Sequence, residues 1–188
     1  MDDKGLRSQN YTETLDLSLQ DGDLIFIRTA GYTTPFDIVG HFYTHVGMYI
    51  GGQWMMESIL VADDRSYGTW GVTETPLSGW SYPSETYATL CRVKTADGDI
   101  IRKAVDFVRK KSGQGYDVNL WQKSVHKPNY YCSELIWAAY YYASKGKINL
   151  GNKWTGGLWD KTIGVWPDDI RNDYENTQAV GYHQEHRP

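Results

Sequence analysis

The sequence predicts an α+β fold, a small and mainly antiparallel sheet packed against helices. Three observations predict it. Short apolar runs bounded by turn residues dominate the first half of the chain. Gly51-Gly52 separates two of these runs, a hairpin signal that makes the flanking strands antiparallel. The second half instead carries two stretches with helical spacing of apolar residues.

Taken in order, residues 1–20 are polar and form an irregular lead-in, and Asp21-Gly22-Asp23 is a turn. Leu24 to Arg28 reads as a buried strand. Gly31, Pro35 and Gly40 punctuate the next stretch, a loop with one helical turn near residues 36–39. Val46 to Ile50 and Trp54 to Ser58 are the hairpin strands. Residues 60–87 scatter Gly, Pro, Ser and Thr and predict a long loop bearing Trp70, Trp80 and Tyr82. A loop of that length suits a lid over a substrate, and Trp70 and Trp80 are candidate substrate-binding residues. Tyr87 to Val93 is a further strand.

A helix follows, capped by Asp97 or Asp99, with Ile100, Ile101, Ala104, Val105 and Val108 at helical spacing. Lys110 and Lys111 close its last turn and Gly113 supplies a left-handed exit. The second helix runs from about Cys132 to Ser144, with Gly146 as its stop. Val165 to Ile170 and then polar residues form the tail. The domain expectation is one unit over 1–188, with 1–20 and 171–188 as peripheral segments.

The 188 residues are enough to bury a core, and 40% hydrophobic with 22% charged residues is ordinary for a globular protein. A net charge of −4 without a basic run argues against a nucleic-acid partner. No apolar stretch is long enough for an integral membrane segment. Met1-Asp2-Asp3-Lys4 is too polar for a signal peptide, which leaves a cytoplasmic protein or an exported one whose export segment is absent from this chain. Two cysteines cannot build a disulfide framework, and a Cys91–Cys132 bridge would silence any thiol chemistry. Fifteen Tyr and eight Trp suit sugar, peptide or lipid ligands, and equally a Tyr-rich core.

Cys132 carries the chemical signal. It follows a polar loop and opens an apolar helix. A free thiol, with a pKa of about 8.5, is mostly protonated near neutrality. Unpaired N–H groups at a helix start and a neighbouring imidazole both favour the thiolate. His45, on the first hairpin strand, is the candidate imidazole. Cys91 lies within an apolar strand and reads as an inert core thiol.

His45 needs an acceptor to orient it, and Glu57 on the next strand is the candidate. A strict two-residue Gly51-Gly52 turn would set His45 opposite Ser58 and turn Glu57 to the other face. A three-residue connection changes the parity and puts His45 and Glu57 on one face, with Val46, Met48 and Ile50 together on the core side. The second arrangement is the one expected.

His41 and His45 stand four apart, yet Phe42 occupies the place where the zinc-protease helix has glutamate. CxxC pairs are absent, so no metal site is predicted. His183 and His186 fall in the polar tail and are expected to be solvated. The chemistry of a thiol and an imidazole calls for no cofactor.

These residues resemble the permuted branch of the NlpC-type papain-like superfamily of bacterial cell-wall hydrolases, in which the histidine strand precedes the cysteine helix. The matching pieces are Gly22-Asp23-Leu24-Ile25-Phe26, His45-Val46-Gly47-Met48-Tyr49, Glu57-Ser58, and Thr75-Pro76-Leu77. Downstream come Gly115-Tyr116-Asp117, Tyr131-Cys132-Ser133-Glu134-Leu135 and Trp166-Pro167-Asp168-Asp169-Ile170. The resemblance implies a permuted papain-like fold, Cys132 as nucleophile, His45 as its base and Glu57 as the orienting carboxylate.

It also implies a cysteine peptidase or amidase acting on a small peptide, a murein fragment or a lipid, in an extracytoplasmic setting. Tyr131 is a candidate pocket residue. Tyr116 and Asp117 read as a structural turn, and Ser133 and Glu134 as support for the first helical turn.

Two other readings stay open. The lecithin–retinol acyltransferase family shares the order of histidine before cysteine. It carries a second histidine where Glu57 stands, and Asn-Cys-Glu-His-Phe where this chain has Tyr-Cys-Ser-Glu-Leu. A ligand-binding module that keeps an unused site is the other. The sequence does not set the oligomeric state.

Overall fold

The computed structural model describes residues 19–29, 42–60, 71–77, 86–151 and 164–183. Among them lie strands β1 (Leu24–Thr29), β2 (His45–Tyr49), β3 (Trp54–Ile59), β4 (Gly71–Pro76) and β5 (Thr86–Val93). Helices α1 (Gly98–Lys110), α2 (Cys132–Ala143) and α3 (Pro167–Arg171) follow, and β6 (Thr177–His183) comes last. The strands form one antiparallel sheet in the order β4-β3-β2-β1-β5-β6. The α+β class is as the sequence predicts.

Each sheet face is apolar. Leu24, Phe26, Val46, Met48, Ile50 and Met56 share the main core with α1 and α2. Ile25, Ile27, Tyr49, Met55, Leu77, Ala88 and Leu90 form a second, smaller cluster. The alternation along β1 divides its residues between the two. α2 is apolar almost all round, and ten of its twelve residues are buried, so it is the central helix of the fold. Tyr140, fully buried on α2, donates its hydroxyl to Gly22 O at 2.6 Å and ties the helix to the start of β1. Gly22 has φ of 86°, and a Cβ there would meet that hydroxyl at 2.7 Å. Glycine is therefore required twice over at this position.

α1 begins as predicted. The Asp97 side chain accepts Ile100 N–H at 2.9 Å. Gly113, at φ 82°, follows its end. The hairpin connection has three residues, because Ile50 N–H donates to Trp54 O at 3.0 Å and Trp54 N–H donates to Gly51 O at 3.1 Å. Gly51, Gly52 and Gln53 all take positive φ, at 87°, 61° and 72°. Met48 then pairs with Met56 and Tyr49 with Met55, the register of the longer connection.

Three elements depart from expectation: β4, β6 and the short helix α3, which Pro167 opens within the stretch read as tail. The stretch predicted as one long loop over 60–87 contains β4, an edge strand paired along its length with β3. Val72, Thr73 and Thr75 are β-branched residues suited to it. Pro76 ends the strand at the sheet edge, where a missing N–H is tolerated. The tail expected to be peripheral supplies β6, which pairs with β5 from Thr177 to His183. Polar residues on this strand masked it, since an edge strand has one well-solvated side. The expected helical turn at 36–39, the residues Trp70, Trp80 and Tyr82, and His41 and His186 fall outside the described residues.

Candidate active site

Cys132 is the first residue of α2, so its N–H and the two that follow have no acceptor within the helix. The preceding chain is fixed from two sides. Ser58 Oγ, on β3, donates to Tyr130 O at 2.6 Å, and Tyr130 N–H donates to Gly115 O at 3.1 Å. Both cysteines are free thiols and both are buried. Burial in the core pushes Cys91 up to about 12, which suits an inert thiol.

His45 is the first residue of β2. The entry to that strand is irregular: Tyr43 and Val46, three residues apart, both reach the main core. Strict alternation therefore starts only at the strand itself. The His45 ring meets Glu57 and Cys132 together. Its Nε2 lies 2.6 Å from Glu57 Oε2, and the Cys132 side chain lies close enough to the ring to favour its charged form. With Nε2 committed to the carboxylate, Nδ1 is the nitrogen left for sulfur. Residues 12 and 87 positions from His45 in sequence thus converge on one ring.

Burial disfavours a charge on His45, but the hydrogen bonds to Cys132 and Glu57 and their negative charge outweigh it and push the ring up to about 9. Glu57 is only 1% exposed, so its carboxylate is committed to this partner rather than to water. The His45 side chain keeps 17% of its surface, which marks where the pair meets solvent. The arrangement is a thiol, an imidazole that carries charge near neutrality, and a buried carboxylate that fixes the ring's orientation.

Tyr131 does not present an open wall. It is fully buried, and its hydroxyl accepts Val165 N–H at 2.9 Å, so its place is in the packing behind the cysteine. Ser133 and Glu134 lie in the first turn without facing the thiol chemistry. Ser133 Oγ donates to Val165 O at 2.7 Å. Glu134 Oε1 accepts Ser124 N–H at 2.8 Å and pairs with Lys127 at 2.6 Å. Lys127 also pairs with Asp117, so the Gly115-Tyr116-Asp117 turn is anchored to α2 through it. Burial raises Glu134 to about 7 against the pull of Lys127 and the Ser124 amide.

Two contributors escape a reading for reactive groups. Ser58 adjoins Glu57, so neighbouring residues of β3 serve the histidine and the chain before the cysteine. The Trp166-Pro167-Asp168 run contains the other, because both Asp168 carboxylate oxygens accept backbone amides, Phe42 N–H and Tyr43 N–H, next to His45. The sequence signal for it is the place of Trp166-Pro167-Asp168 in the family resemblance.

No group of His, Cys, Asp and Glu among the described residues could hold a metal ion. No helix of the described residues is long and apolar enough to cross a membrane.

Residues 18–157 match the family model described as permuted papain-like amidase enzyme, YaeF/YiiX, C92 family. The match spans the His45 strand, Glu57 and the Cys132 helix. A comparison with curated proteins finds no match. The order of histidine before cysteine, the antiparallel sheet with its helices and the matched span agree, and the chain belongs to the permuted papain-like amidase family, a family of cysteine hydrolases.

Proposed function

We propose that the protein hydrolyses an amide bond in a peptide or peptidoglycan-derived substrate, through a thioester on Cys132. The observation that carries this reading is one imidazole bonded to Glu57 at 2.6 Å and raised in pKa by both Glu57 and the neighbouring Cys132. The Cys132 thiolate attacks the carbonyl carbon, and the Cys132 N–H helps to hold the oxyanion at the helix start. Charged His45 gives its proton to the leaving amine as the C–N bond breaks, which leaves the thioester and a neutral ring. Neutral His45 then takes a proton from water, hydroxide adds to the thioester, and the thiolate leaves as the acid is released. Glu57 holds the ring orientation through both steps.

A peptidoglycan substrate is met at the cell envelope, so this reading carries an extracytoplasmic setting with it, whereas a small-peptide substrate leaves the cytoplasm open. The test is incubation of the wild type and Cys132→Ala with soluble murein peptides, and with acyl donors plus an alcohol or amine. Amide cleavage that disappears in Cys132→Ala supports the reading. Cleavage at the native rate by Cys132→Ala sinks it. Acyl transfer without amidase activity moves the protein to the acyltransferase reading.

A further inference from the structure

The segment 165–168 touches both halves of the site. On the helix side, Val165 N–H donates to the Tyr131 hydroxyl at 2.9 Å and Val165 O accepts from Ser133 Oγ at 2.7 Å. These are the residues immediately before and after Cys132. On the strand side, Asp168 Oδ1 accepts Tyr43 N–H at 3.1 Å, and Oδ2 accepts Phe42 N–H. The next amide, Thr44 N–H, donates to Ile27 O at 2.9 Å, and His45 follows. Asp169, by contrast, serves its own short helix by accepting Trp166 N–H at 2.9 Å. The two adjacent aspartates therefore have different tasks.

We propose that Asp168 is a positioning residue, which holds the entry to β2, and so His45, at a fixed separation from Cys132 by way of the 165–168 strap. The physical case is one of rigidity. A carboxylate that accepts two consecutive amides fixes both the position and the direction of that backbone, and such charge-assisted bonds are stronger than neutral ones. Val165, three residues away, is pinned twice to the start of α2. The 166–170 run belongs to the family resemblance, but the resemblance assigns Asp168 no task, and the family model itself ends at residue 157. The inference rests on Cys132 and His45 being the reacting pair.

The experiment uses the full chain with Asp168→Ala, Asp168→Asn, Ser133→Ala and the double variant Ser133→Ala/Asp168→Ala. Two quantities are read: the NMR titration of the His45 ring, assigned with His45→Ala, and the rate of Cys132 alkylation by iodoacetamide at pH about 6.5, a pH chosen below the free-thiol range. Background from Cys91 is taken from Cys132→Ala.

For Asp168→Ala, alkylation slows about 10- to 100-fold, because a thiol whose imidazolium partner has moved away is mostly protonated at that pH. The His45 midpoint falls from about 9 towards the ordinary value. Asp168→Asn keeps one acceptor oxygen and lies between. Because Ser133 and Asp168 act on one strap, their losses are not additive. A folded Asp168→Ala protein with the wild-type His45 midpoint overturns the proposal, as does strict additivity. If Asp168→Ala fails to fold, Asp168→Asn decides, and a wild-type midpoint there overturns it. Hydrolysis by Cys132→Ala would instead overturn the choice of nucleophile, so the two failures are separable.

Discussion

Replacing Glu57 with glutamine removes one negative charge and keeps the side chain's size. Glu57 is 1% exposed, so water does not replace the lost charge. The bond to His45 Nε2 is 2.6 Å long and joins two groups that are both charged near neutrality. A hydrogen bond to a charged group contributes about 1.5–3 kcal/mol. The glutamine oxygen can still accept, so what is lost is the charge, and at about 1.36 kcal/mol per pKa unit this lowers the His45 midpoint by about 1–2 units. The ring, pushed up to about 9 in the wild type, then titrates about 1–2 units lower, with Cys132 still favouring its charge.

The imidazolium exists below that midpoint and supplies the leaving group's proton, so the alkaline limit of activity moves down by the same amount. The measurement is the pH profile of hydrolysis for wild type and Glu57→Gln, with the His45 titration read by NMR on the same samples. An unchanged alkaline limit and an unchanged midpoint would refute the assignment of Glu57 as the group that holds His45 charged.

Further outcomes are expected. Because the fold raises His45 above its ordinary value of 6.5, its contribution to stability is full below that pH and is lost as pH rises to about 9. Urea melts of wild type and His45→Ala should therefore converge across that interval, and a constant difference would contradict it. Lys127→Met strands the buried Glu134 carboxylate and should cost about 3 kcal/mol at pH 8. Burial already raises Glu134 to about 7 with Lys127 in place, and losing Lys127 raises it further, so acidification neutralises the carboxyl and denaturant melts should show the penalty shrinking by pH 5. Gln53 sits at φ 72°, where a side chain is strained, so Gln53→Gly should stabilise the protein by about 0.5–1 kcal/mol in thermal melts.

The sequence made the site legible because its groups are chemically distinctive. Cys132 begins a helix, His45 begins a strand, and the parity of a three-residue connection puts Glu57 within reach. The hairpin, β1, β5, α1 and α2 were legible because each buries a continuous or periodic apolar face. What escaped the pattern lies at the edges. β4 carries Gly, Thr, Glu and Pro, and β6 mixes Gln, Gly, Tyr and His, so neither has the apolar content of a central strand. Tyr131 looked like a pocket residue because it adjoins the cysteine, but a residue one position before a helix can face inward, and this one does. The task of Asp168 was invisible for a different reason: its partners lie 126 and 125 residues away. No local pattern encodes such a contact.

The final strand also bears on where this protein can be trimmed. A chain cut at residue 157, where the family match stops, would lose β6 and leave the far side of β5 without a partner. The β5 residues Ala88, Leu90 and Cys91 are buried in the intact protein. Uncovered, that row of backbone donors and acceptors is a template on which a second molecule can add. The shortened protein is therefore expected to self-associate during purification, and recombinant material should extend at least through His183.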